Sequence, residues 1–469
     1  MKDFPIPVVV AETVHIHPRS IKGRFRSFKS VVLYLAYAVY FVLPWIPWSR
    51  PVGENQAVLF DLVAKKFYVF GLVVYAQDIF WLAALLFLAA VLLFFSTALV
   101  GRAFCGYFCF QTLWTDAFRE VEKMIQGDRV KRIRLDKQPW NSEKILKKGS
   151  THLIWLFLAF WTGLTFILFW GYAPDLIVRF FTAQAPLVAY TATFGLMITT
   201  YIAAGLMREK VCQHVCPYAR FQSVMIDKDT LVPTYDLERG EGTKGRAKSI
   251  RELKAQEARH EAGVGDCVDC GLCVQVCPTG IDIRDGMQYE CIQCGLCVDA
   301  CDQIMDARGW DRGLIRYESE NGLNHGKTHF FKLRTYGYGV ATLGAAFFLM
   351  WSMSGHKVIE STARQIRSPL YITLSDGRIK NAYEVKVVNK SMFAQNFSLS
   401  LKDLPDAVLD MGAIKDVSLK PDEKQRIRVK VIRDPKKSLT KSTKFQFVLT
   451  PKSGKIKEPL YINSQFIVP

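Results

Sequence analysis

Cys267-Val-Asp-Cys270-Gly-Leu-Cys273-Val-Gln-Val-Cys277-Pro278 is followed by Cys291-Ile-Gln-Cys294-Gly-Leu-Cys297-Val-Asp-Ala-Cys301-Asp302. Each run has the spacing C-x2-C-x2-C-x3-C, and the second carries Asp302 where the first carries Pro278. A cubane cluster needs four thiolates on one concave surface. A tight loop supplies three of them, and in this pattern the fourth cysteine of each run ligates the other cluster. The spacing therefore predicts one [4Fe–4S] cluster on Cys267, Cys270, Cys273 and Cys301. It predicts a second on Cys291, Cys294, Cys297 and Cys277. Zinc favours two separated cysteine pairs over two runs of four, so the pattern points away from it.

Around this stretch the chain reads as membrane protein. It has 469 residues, half of them hydrophobic, yet 61 Lys+Arg stand against 43 Asp+Glu, a net charge of +18. Val31–Trp48, Ile79–Val100, Leu153–Trp170 and Leu187–Met207 are each apolar over about 20 residues, the length of a bilayer core. Tyr336–Met353, with Gly337, Gly339 and Gly344, reads as a fifth span. Val58–Tyr75 is also apolar, but Asp61, Lys65 and Lys66 interrupt it. It reads as a helix on the membrane surface or as a soluble loop.

Basic residues set the orientation. Arg19, Lys22, Arg24, Arg26 and Lys29 precede the first span, and the loop after the second runs from Arg119 to Lys148 with eight further basic residues between. Only Arg179 is basic between the third and fourth. The N-terminus and the cluster region are thus expected in the cytoplasm, and the chain after the fifth span outside. All twelve cysteines fall on the expected cytoplasmic side, where thiols stay reduced and free for metal. The basic excess follows from topology and anionic lipid, and no nucleic-acid-binding motif is present.

The expected organisation is a tail at 1–30, a four-helix membrane region at 31–210 and a connector at 211–263. A two-cluster ferredoxin-like domain follows at 264–307, then a return linker at 308–335, the fifth span at 336–354 and an all-β domain at 364–469. In that last domain Tyr383–Val388, Phe397–Leu401, Gln425–Val431 and Phe445–Leu449 alternate apolar with polar. Turn pairs such as Asp376-Gly377 separate them, which predicts an immunoglobulin-like β-sandwich.

The remaining cysteines form two C-x3-C pairs, Cys105 with Cys109 and Cys212 with Cys216. Each pair follows an arginine or lysine that closes an apolar helix, so hairpin plus cysteine pair is an internal repeat. Spacing i, i+4 would put both sulfurs on one helix face about 6 Å apart. Two pairs at one leaflet could converge on a four-thiolate site, and soft thiolates select Cu(I), Zn or Fe–S. His214 could add an imidazole, although an interfacial histidine that packs and hydrogen-bonds is an equal reading. His15 and His17 form an H-x-H in what reads as a solvated tail.

Five spans, two C-x3-C repeats, the double-cluster motif and a C-terminal sandwich together resemble the FixG/CcoG family of cbb3-type cytochrome oxidase accessory proteins. The likeness rests on Cys105–Asp116, Cys212–Gln222 and Ser375–Tyr383. Phe110 stands where the family usually has proline. The resemblance implies a bacterial inner membrane and reduction of Cu(II) to Cu(I) for oxidase assembly, with Cys105, Cys109, Cys212 and Cys216 as the reactive thiols. The expected partners are the bilayer, oxidase assembly factors or a copper chaperone, a cytoplasmic electron donor, and a second copy in a homodimer. A quinol-linked electron carrier feeding a partner reductase, and a non-redox assembly scaffold, stand as alternatives.

Overall fold

Long apolar runs become helices because, without water, each backbone N–H must be satisfied within its own segment. In the computed structural model, four helices among the described residues are long and apolar enough to cross a membrane, by length and composition: Arg24–Trp45, Ile79–Val100, Ser142–Leu168 and Leu187–Met207. The structure describes residues 16–469 except 51–52, 76–77, 249–252, 331, 355–358, 392, 413, 415, 422, 435–440, 454–457 and 469. His15 of the H-x-H pair lies outside the described residues. His17 is not a solvated tail residue: its Nε2 lies 3.0 Å from Asp136 Oδ2.

The chain divides into two units. The first holds the described chain up to Trp45 and Ala76–Leu349. Its helices are α1 (Arg24–Val42), α2 (Ile79–Val100), α3 (Ala103–Tyr107), α4 (Phe110–Gln126), α5 (Arg129–Lys137), α6 (Ser142–Leu168), α7 (Ala173–Phe181), α8 (Leu187–Thr200) and α9 (Pro217–Met225). Tyr201–Met207 and Val211–Val215 are π-helical turns between α8 and α9. Trp114 and Phe118 of α4 pack with Trp155 and Ala159 of α6 and Leu33 of α1. Trp114 Nε1 donates to Thr162 Oγ1 at 2.9 Å, and Trp155 Nε1 donates to the Phe118 carbonyl at 3.0 Å. Both indoles thus satisfy their one polar atom inside the core.

Several of the basic residues that set the orientation, together with Arg208 after the fourth span, pair with buried carboxylates and are not left free for lipid. Arg26 and Lys29 pair with Asp116 at 2.9 and 3.4 Å, and Arg132 and Arg208 share Glu122 at 3.2 and 2.5 Å.

The cysteine-rich module adds α10 (Leu237–Glu241), α11 (Gln256–Glu261), α12 (Leu272–Val276), α13 (Leu296–Arg308) and α14 (Glu320–His325). Its core also takes Tyr235, Trp310, Leu314 and Ile315 from outside 264–307. Val232–Tyr235 pairs antiparallel with Ile315–Glu318 and ties the two flanks of the module together. The fifth apolar segment is helical as α15 (Leu333–Ser354), with none of its described residues buried.

The second unit holds Ile46–Tyr75 and Met350–Pro469. Here the reading of Val58–Tyr75 is corrected. The segment is neither a surface helix nor an irregular loop but a three-stranded antiparallel sheet of β1 (Val58–Asp61), β2 (Lys66–Val69) and β3 (Leu72–Tyr75). The charges that interrupt the apolar run sit at the first turn, where Lys65 has φ +56°. Numbering on through β4 (Val232–Tyr235) and β5 (Ile315–Glu318), the C-terminal strands are β6 (Ile359–Gln365), β7 (Ile372–Thr373), β8 (Ile379–Asn389), β9 (Gln395–Lys402), β10 (Val408–Asp410), β11 (Val417–Leu419), β12 (Lys424–Arg433), β13 (Ser442–Ser453) and β14 (Leu460–Ile467). They form two antiparallel sheets, β10-β12-β8-β6 with β7 on β8, and β11-β9-β13-β14. The period-two residues Tyr383, Val385 and Val387 of β8, with Val429 of β12 and Phe447 of β13, fill the space between them. Tyr383 Oη donates to the Gln465 carbonyl at 2.8 Å and ties the sheets together.

Candidate functional site

Two cysteine cages lie side by side in the first unit. Cys267, Cys270, Cys273 and Cys301 line one cavity. Cys277, Cys291, Cys294 and Cys297 line the other, with Cys273 at its border. The loops curl the same way in both runs. The residue before the second cysteine is left-handed, Asp269 at φ +50° and Gln293 at φ +53°. The glycine after it is left-handed too, Gly271 at +64° and Gly295 at +70°, and serves as N-cap of α12 or α13. Two left-handed residues around one cysteine turn the chain back on itself, so three sulfurs face one centre. Cys301 then comes from within α13, and Cys277 from the extended residue that ends α12.

Burial raises several thiols of these cages. Cys273 is pushed up to about 12, mostly by burial and against the pull of Arg284. Cys291 is likewise pushed up to about 12 by burial, with Cys294 adding to it. Cys294, Cys297 and Cys301 rise for the same first cause. Such thiols hold their protons at neutral pH until a metal displaces them. Amide and hydroxyl donors stand ready for the thiolates: Gln293 N–H lies 3.4 Å from Cys291 Sγ and Thr279 Oγ1 3.3 Å from Cys277 Sγ.

The two cages fit cubanes and not a mononuclear ion. Among the described residues, no three His, Cys, Asp or Glu side chains converge closely enough to hold one metal ion. A cubane gives each thiolate its own iron, so its four ligands must stand apart around a cage.

The C-x3-C pairs come together, but not as the i, i+4 helical pairs expected. Cys105 lies in the short α3, whereas Cys109 is the extended N-cap of α4, with ψ 131°. Cys212 lies in a π-helical turn, and Cys216 is the extended N-cap of α9, with ψ 109°. In both pairs the helix breaks between the cysteines. Phe110 occupies the first helical position that Pro217 occupies in the repeat, a position where proline is favoured but not required. Its ring stacks on Trp114 at 4.2 Å. Cys105 is raised to about 12, by burial first, with Cys109 and Cys212 adding to the rise. Cys212 is raised to about 11 by burial and then by Cys109, with a smaller part from Cys216. The four thiols are thus electrostatic neighbours. Cys105 Sγ donates to Gln222 Oε1 at 2.9 Å. The His214 side chain is exposed, and among the described residues it belongs to no group of three or more possible metal ligands.

The membrane thiols lie against the cage of Cys277, Cys291, Cys294 and Cys297, here called proximal. A Cβ on Gly106 would fall 2.8 Å from the Ile292 carbonyl oxygen and 3.0 Å from Cys294 Cα. Tyr107 Oη donates to the Cys294 carbonyl at 2.9 Å, and Tyr289 Oη donates to the Gln213 carbonyl at 3.3 Å. The Arg102 backbone N–H donates to Gln293 Oε1, and its guanidinium donates to the Tyr289 carbonyl. From the other side, buried Asp299 of α13 accepts from Phe25 and Arg26 N–H at 3.2 and 2.8 Å. It thereby caps the start of α1, whose first N–H groups have no partner within the helix. Sequence reasoning missed Asp299, Gly106 and Gln293. Arg102 was visible only as a cation closing a span.

The chain is similar to known proteins along most of its length. Residues 207–320 match the family described as "4Fe-4S dicluster domain", and residues 80–127 match "4Fe-4S binding domain". Residues 349–469 match the "IG-like fold at C-terminal of FixG". The "Nitrogen fixation protein FixG" of Rhizobium meliloti is 39% identical over 429 residues, covering 84% of this chain and 80% of that one. The proteins RdxB and RdxA of Cereibacter sphaeroides are 37% and 39% identical, covering 84% and 82% of this chain and 83% and 82% of their own. A solved FixG-related protein from Vibrio parahaemolyticus overlaps 24% of this chain and 97% of its own at 26% identity, with a TM-score of 0.22. Paired cysteine cages docked on apolar helices, carried with a C-terminal sandwich, make this an iron–sulfur protein of the membrane electron-transfer kind, and the chain belongs to the FixG/RdxB family.

Proposed function

We propose that this protein carries electrons from a cytoplasmic donor to the thiols Cys105, Cys109, Cys212 and Cys216, where Cu(II) is reduced to Cu(I) for assembly of a cbb3-type oxidase. The observation that carries the reading is the contact of Cys105-Gly106-Tyr107 with Ile292 and Cys294, which sets the membrane thiols against the proximal cage. Cubanes held by the two cages would supply one-electron chemistry with little rearrangement. The chain does the rest. Cys270 is exposed and offers the distal cage, that of Cys267, Cys270, Cys273 and Cys301, to a donor. Gly106 lets α3 approach the proximal loop. The thiols release protons as they take up soft metal, and thiolates favour Cu(I) over Cu(II), so they favour reduction of the bound substrate.

The same reading has α15 as a fifth span in a bacterial inner membrane, with the cages in the cytoplasm and the sandwich on the far side. Two features support it. The basic loops flank the proposed cytoplasmic ends. The segment between the first two spans also shares a unit with the C-terminal sandwich, with Lys390 Nζ 5.3 Å from the Tyr75 ring centre. Copper content and Cu(I) formation in purified variants test the central reading. Double serine replacement of Cys105 and Cys109, or of Cys212 and Cys216, should abolish Cu(II) reduction and leave iron content intact. Undiminished copper binding and reduction in both would remove the copper reading and favour a quinol-linked carrier.

A further inference from the structure

Arg102 is a buried cation in an unusual position. It is 2% exposed, and among the described residues no carboxylate lies within ion-pair distance of it. Its Nε is buried without a hydrogen-bond partner. Its guanidinium donates to the Tyr289 carbonyl and bonds the Cys105 thiol, and its backbone N–H donates to Gln293 Oε1, all uncharged groups. A buried charge without a counter-charge is strongly destabilising. The groups able to become anions beside it are thiols on both sides: Cys105, whose N–H donates to the Arg102 carbonyl at 2.9 Å, with Cys212 of the membrane pairs, and Cys291 of the proximal cage, whose Sγ lies 3.4 Å from the N–H of the Gln293 that Arg102 bonds. Among the described residues, the other cations near these thiols are paired or serve one cage. Lys29, which acts on Cys294, is paired with Asp116, and Arg119 is paired with Glu209. Arg284, which acts on Cys273 of the distal cage, is paired with Asp282 and Asp269. Arg259 is buried beside Cys267 but serves the distal cage alone.

We propose that Arg102 is a counter-cation shared by the membrane thiolates and the proximal cage, and that it couples the two sites. A four-thiolate cage around an iron–sulfur core is a net anion, more so once reduced, and a fixed positive charge beside it raises its reduction potential. The same charge favours loss of thiol protons when soft metal binds at the membrane pairs. Two anionic sites that draw on one cation oppose each other, so loading one makes charging the other harder, and the effect is reciprocal. Arg102 is in this sense a positioning residue. It acts through the charge it places beside the Cys105 thiol and the proximal loop.

The inference rests on the cage assignment above, and the test separates the two. Anaerobically purified protein with full iron content is titrated by redox potential and followed by EPR. Arg102→Met should lower the potential of the proximal signal and leave the distal one in place, and Arg102→Lys should restore most of the loss. Cd2+, a soft and redox-inert probe, should bind the membrane thiols more weakly in Arg102→Met by at least tenfold. Wild-type protein gives an independent measurement should Arg102→Met fail to assemble. The membrane thiols stand apart in the structure, and Cd2+ that draws three or four of their thiolates together forms a net anion, so Cd2+ loading should lower the proximal potential and not the distal. Unmoved potentials and unchanged Cd2+ affinity, or an equal shift of both signals, would overturn the role of Arg102. Absence of two iron signals from the wild type would overturn the cage assignment and this inference with it.

Discussion

Replacing Gly106 with alanine adds one carbon where the backbone of the proximal loop already stands. The new Cβ would lie 2.8 Å from the Ile292 carbonyl oxygen, 3.0 Å from Cys294 Cα and 3.2 Å from Cys294 N, whereas ordinary contact begins at 3.4 Å. All three neighbours are backbone, so no side-chain rotation relieves the clash. The α3 segment must move away from the loop by about 0.6 Å, at the ~1–3 kcal/mol typical of overpacking. A loss of that size corresponds to a factor of about 5–150 in the docked population. The assay is a single turnover: dithionite-reduced protein, freed of reductant, is mixed with Cu(II) and Cu(I) is read with a specific chelator. Gly106→Ala should slow Cu(I) formation, Gly106→Leu should slow it further, and both should keep wild-type iron content and EPR spectra. Wild-type turnover in Gly106→Leu would refute the claim that this contact is the electron path. Loss of iron in Gly106→Ala would mean that the glycine serves cage assembly instead.

Three further outcomes follow from the same geometry. Cys301→Ser should damage the cage of Cys267, Cys270 and Cys273 and spare that of its own run, and EPR showing the reverse selectivity would exclude crossed ligation. Because burial holds Cys105 and Cys212 protonated at neutral pH, soft-metal affinity at the membrane pairs should rise with pH between 6 and 8, by up to about tenfold per pH unit for each proton released. A flat profile in a Cd2+ titration would mean the thiols are already ionised. Alkaline phosphatase fused after Ser361 should be active and one fused after Lys332 inactive, and matching activities would eliminate α15 as a span.

Much of this was legible because cysteine spacing is a local code. Two identical runs specify two loops, and the glycine after each second cysteine marks the left-handed turn that closes them. The strands of the sandwich were readable from period two at Tyr383–Val388 and Gln425–Val431. The sheet at Val58–Tyr75 was not. Its strands are four residues long, too short to display a period, and the lysines of the turn looked like interruptions of a helix. The break within each C-x3-C pair was hidden for a related reason. Spacing i, i+4 fits a helix, but it fits equally a short turn followed by an N-cap, and only Pro217 hinted at the second. Arg102, Gly106 and Asp299 act on partners more than 180 residues away in sequence, and no local pattern reports such a contact.

The most direct measurement of the central claim is electron counting. Reduced wild-type protein, with both clusters in the one-electron-reduced state, receives excess Cu(II) under anaerobic conditions, and cluster EPR and Cu(I) are followed together. The account predicts about two Cu(I) per chain, formed in step with loss of both reduced signals. It predicts that the variant lacking Cys105 and Cys109 keeps its clusters reduced. Equal Cu(I) yield and equal cluster oxidation in that variant would contradict it.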